Sequence, residues 1–90
     1  MTTSAVQIVN TENLTEYTFN VLATNTNNVI DSYSVFVEKD WEGNFEVSSI
    51  VEDASPKYKT FEDETDANIY AMKLILGYKK QYKKTRLAFL

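Results

Sequence analysis

Cysteine and histidine are both missing from this chain of 90 residues. Without cysteine there is no disulfide and no thiolate; without histidine, the usual zinc ligand and the commonest acid/base catalyst are gone. Proline occurs once and glycine twice, and no glycine-rich loop is present to cradle a phosphate. No apolar run comes near the roughly 20 residues that span a bilayer. No stretch has the basic start, apolar middle and small-residue cleavage site of a signal peptide. These absences point to a non-enzymatic protein of the cytoplasm, with no cofactor, no metal and no membrane partner. In such a protein the glycosylation triplet Asn13-Leu14-Thr15 is idle.

Apolar residues are present from Val6 to Leu90 with no low-complexity tract between them, so the composition is that of one folded domain with a thin stability margin. Charge is unevenly distributed. Residues 1–55 hold nine Asp and Glu against the single Lys39, about −8, and residues 56–90 hold eight Lys and Arg against four acids, about +4. The net −4 therefore hides a bipolar chain.

The first half has the period of two that belongs to half-buried strands. Tyr17, Phe19, Val21 and Ala23 alternate with polar residues over 15–24, with Leu22 breaking the pattern. Tyr33, Val35 and Val37 do the same over 29–39, and Phe45, Val47, Ser49 and Val51 over 45–53. Short turns, Asn-rich after residue 24 and Gly-containing after residue 39, join them into an antiparallel meander. Pro56 restricts the stretch 57–61 to a short edge strand or a linker. Residues 1–12 and 87–90 fall outside these elements and are expected to be flexible, although 5–10 has the composition of an additional edge strand.

From Asp63 the period becomes helical, over about 64–85. Asp63 is placed to cap, Glu64 and Asp66 stand in the first turn, and five bases gather at the far end, so both ends suit the helix dipole. Ala67, Ala71, Leu74, Ile75, Tyr78 and Tyr82 form one stripe suited to a sheet. The expected architecture is α+β, an antiparallel sheet of three or four strands crossed by one long C-terminal helix.

Three features point toward partners. Ile69, Met72 and Leu76 make a second apolar stripe, to be covered either by another part of the chain or by a partner, a second copy included. Gly77, in the helix interior, is consistent with close approach by a neighbour. Trp41 stands in a turn between Asp40 and Glu42, and buried aromatics dominate interface energetics. Finally Glu38, Glu46, Glu52, Asp53, Glu62, Asp63, Glu64 and Asp66, with Asp40 and Glu42, can form one negative face able to imitate a phosphate backbone. The competing partner is nucleic acid, held by Lys79, Lys80, Lys83, Lys84 and Arg86 with Tyr78 and Tyr82 interleaved.

In its order of three strands then a helix, the chain is similar to double-stranded-RNA-binding domains. It lacks their N-terminal helix and carries its bases at the helix C-terminus. In size, acidity and absence of motifs it resembles the small inhibitors that phages direct against host defence or transcription machinery. That resemblance implies a viral protein that binds another protein in the host cytoplasm.

Overall fold

The computed structural model describes residues 2–50 and 58–85. Its strands are β1 (Thr2–Thr3), β2 (Gln7–Asn10), β3 (Leu14–Leu22), β4 (Val29–Lys39), β5 (Phe45–Ile50) and β6 (Lys59–Phe61), followed by the helix α1 (Glu64–Thr85). The strands form one antiparallel sheet in the order β1-β3-β4-β5-β6, with β2 also on β3. The α+β meander with one helix packed across it is as the periodicities indicate, but among the described residues it has six strand segments rather than three or four.

The additional strands come mainly from the N-terminal residues. β1 and β2 share one edge of β3, and the register slips by one residue between Thr3↔Val21 and Gln7↔Thr18. Ser4 holds the chain at this bulge: its N–H donates to the Asn20 carbonyl and its Oγ accepts the Asn20 N–H, both at 2.8 Å. A second slip, between Val21↔Asp31 and Leu22↔Val29, leaves Ile30 of β4 as the extra residue beside Leu22. The turn after it closes with Ala23 and Asn28 and places Asn27 at φ 56°, a left-handed conformation that asparagine tolerates.

One sheet face is apolar because alternate residues of every central strand point to it. Tyr17, Phe19, Val21, Tyr33, Val35, Val37 and Val47 are buried there against Ala67, Ala71, Ile75 and Tyr82 of α1. Leu74 and Tyr78 pack against the same core, so the first helix stripe faces the sheet. Ala67 and Ala71 are both fully buried and are small enough to let the helix lie close. Phe19 stacks on Tyr33 with ring centroids 5.0 Å apart, and Tyr82 meets Tyr33 edge-on at 5.7 Å. Each such large side chain contributes roughly 2 kcal/mol on burial.

Two polar ties set the helix along the sheet. Tyr17 Oη donates to Asn68 Oδ1 at 2.5 Å, and Tyr78 Oη donates to the buried Ser49 Oγ at 3.2 Å. Burial pushes the Tyr17 phenol above the ordinary tyrosine value, because the phenolate would lose its hydration there. Asp63 caps α1 as expected, its Oδ1 accepting from the N–H groups of Thr65 at 2.7 Å and Asp66 at 3.3 Å. The other sheet face is open and polar. There the Thr18 hydroxyl donates to Glu16 at 2.8 Å and accepts from the Ser34 hydroxyl at 3.0 Å, while Ser32 donates to Asn20. Among the described residues no helix is long and apolar enough to cross a membrane.

Candidate functional site: an acidic end with an exposed tryptophan

Alternate strands of a meander run the same way. The β2–β3 turn, the β4–β5 turn and the β6–α1 junction therefore lie at one end of the sheet. Glu64 shares a small crevice there with residues of the β2–β3 turn and with Lys39. The expected acidic residues converge on this end: Asp40 and Glu42 from one turn, Glu46 and Glu38 from the strands beside it, and Glu62, Asp63, Glu64 and Asp66 from the helix start. Glu12 and Glu16 join them through the β2–β3 hairpin, which sequence reading left out. With these two, ten of the chain's thirteen acidic residues stand at or near one end. The missing signal was the pairing of β2, since nothing local to Glu12 shows which turn it will neighbour. Among the described residues, the carboxylates form no group placed to hold a metal ion.

Part of this charge has a structural use and part does not. Asp63 caps the helix, and Asp40 braces the β4–β5 turn: its Oδ1 accepts N–H groups from both Glu42 and Asn44 at 2.9 Å, and its own N–H donates to the Asn44 carbonyl at 2.8 Å. Gly43 completes the turn at φ +88°, where a side chain would be strained. Glu38 and Glu46, by contrast, are direct cross-strand partners. Like charges placed opposite each other destabilise a sheet, so this pair works against the fold.

Trp41 is carried at the tip of the braced turn and is 92% exposed. It does not fold back over the sheet. An indole held clear of its own protein on a turn fixed by several hydrogen bonds presents apolar surface amid negative charge.

The helix stripe divides. Met72 packs against the core, while Ile69 and Leu76 remain half exposed on the outer side of α1. A Cβ at Gly77 would meet nothing within 4 Å, so no neighbour within the described chain requires glycine there. At the basic end, Lys79 is half-buried and Lys80 exposed; Lys83 and Lys84 lie in the last turn of α1, and Arg86 lies outside the described residues. So do Glu52, Asp53, Leu87 and Phe89. Tyr82 is buried on Tyr33, and the Tyr78 hydroxyl is bonded to Ser49, so both rings serve packing within the chain.

Comparison of the chain with protein-family models, with curated proteins and with solved structures gives no match.

Proposed function

We propose that the protein is a non-enzymatic binding module whose acidic end docks into a basic cleft of another protein, one that otherwise holds nucleic acid. The observation that carries this reading is Trp41, 92% exposed on a hydrogen-bonded turn at the centre of the negative charge. A free indole in water is apolar area with no internal use, and such residues become the anchors of interfaces. The surrounding carboxylates steer the encounter and occupy the positions of phosphates, as an inhibitor of the phage type would. The Glu38–Glu46 pair fits this reading, because a cost to the sheet is offset when a cationic partner arrives.

The test is competition. The immobilised protein should retain a basic partner from the cell in which it acts, and duplex DNA or RNA should displace that partner in proportion to concentration. Trp41→Ala, and separately Glu42→Lys with Glu46→Lys, should each weaken retention. A partner that binds nucleic acid and this protein at the same time would refute the masking mechanism. Direct binding of the protein to a labelled oligonucleotide, lost on replacing Lys79, Lys80, Lys83 and Lys84 with Ala, would instead favour nucleic acid as the ligand.

A further inference from the structure

The two edges of the sheet differ in how they are protected. β6 has only three residues, and Lys59 stands on it with its Nζ 4.8 Å from the Tyr70 ring centroid. An edge lysine of this kind discourages pairing with another chain. β2 has the sequence Gln-Ile-Val-Asn, with no charge and no proline, and all four residues are exposed. Ile8 is 54% and Val9 58% exposed, on opposite faces of the sheet, because α1 does not extend over this edge.

The direction of its free backbone groups can be read from the hairpin. Thr11 N–H donates to the Leu14 carbonyl at 2.8 Å, which makes Thr11 and Leu14 a hydrogen-bonded pair. Bonded and non-bonded pairs alternate in an antiparallel ladder, so Val9 and Gln7 bond inward to β3, and Ile8 and Asn10 turn their N–H and C=O outward. Such a row accepts another extended strand and nothing else of comparable fit.

We propose that the occupant is the β2 strand of a second copy of this chain, paired antiparallel about a two-fold axis through Val9. In this register Ile8 of each copy faces Asn10 of the other, giving four backbone hydrogen bonds. Val9 meets its own counterpart at the non-bonded position, where the Cβ atoms approach most closely. Facing residues point to the same side, so the two sheets join as one with both helices on one face. Charge supplies the second argument. The antiparallel pairing reverses one copy relative to the other, so the acidic hairpin end of each points the same way as the basic helix end of its partner. The bipolar charge of the chain thus becomes an attraction between copies. A pairing of this length belongs to the weak class of interfaces, with a dissociation constant on the order of 100 μM.

The absence of cysteine makes the register directly testable. Val9→Cys should form an intermolecular disulfide under mild oxidation, and Leu76→Cys should not. In sedimentation, the native chain should show a concentration-dependent dimer that weakens with added salt. Val9→Lys, which sets two ammonium groups against each other at the axis, should raise the dissociation constant on the order of tenfold or more. Leu76→Lys should leave it unchanged. A native chain that stays monomeric up to about 1 mM, a dimer that Leu76→Lys abolishes and Val9→Lys does not, or a Val9→Cys protein that fails to cross-link would each overturn the proposal. None of these results depends on the ligand of the acidic end.

Discussion

The two ends of α1 are both charged, but the charges have different relations to the fold. At the C-terminal end the bases lie where the helix carbonyls favour positive charge, and the tyrosines interleaved with them pack into the core. Local structure accounts for that end. At the N-terminal end Asp63 and Asp40 account for themselves through capping and turn bracing. Glu38 and Glu46 face each other at a cost, and Trp41 covers nothing. Charge that its own structure explains is weak evidence for a ligand, whereas charge that opposes its own structure is stronger evidence. On that criterion the acidic end is the better candidate for an interaction site.

The contrast between the ends can be tested by substitution. The largest effect should come from Trp41→Ala, with a loss of about 2 kcal/mol or more in partner binding, roughly thirtyfold. Thermal denaturation of the variant should match the native chain, since exposed positions shift stability by about 0.5 kcal/mol or less. If the melting temperature falls instead, the indole is structural and the contrast fails. Asp63→Ala should cost about 1 kcal/mol in urea denaturation through loss of the cap, separating structural acid from surplus acid at the same end. Gly77→Ala, in the half of the helix whose features are locally explained, should stabilise by up to about 1 kcal/mol, because the added methyl meets open space. Glu46→Lys should have the smallest effect, stabilising by roughly 0.2–1 kcal/mol as the repulsive pair with Glu38 becomes attractive. The same substitution should weaken partner binding, and opposite signs in the two assays would mark Glu46 as a residue kept for its ligand.

The central sheet and the helix were legible because each carries its own period. Tyr17, Phe19 and Val21 report a buried face regardless of what pairs beside them, and Asp63 announces a helix start within one turn. β2 was far less legible, since Ile8 and Val9 are exposed on both faces and leave no alternation to read. Its existence depends on β3 offering an edge, which is information held elsewhere in the chain. The same limit applied to the site. Glu42 and Trp41 could be named as neighbours in sequence, but bringing Glu12 and Glu64 to the same end required the sheet order. The division of Ile69 and Leu76 from Met72 turns on a fraction of a helical turn, which a periodic stripe does not resolve.

The order of elements along the chain has a consequence for biosynthesis. Among the described residues every strand precedes α1, and the tie between Tyr17 and Asn68 joins residues 51 positions apart. At about 5–20 residues per second, the ribosome adds the 22 residues of α1 in roughly 1–4 s. Until α1 has emerged and packed, Phe19, Tyr33 and Val35 lack the cover they have in the folded chain. A nascent chain at this stage is a ready client for a chaperone, and slow codons within Glu64–Thr85 should lower the yield of soluble protein while leaving its sequence and final stability untouched.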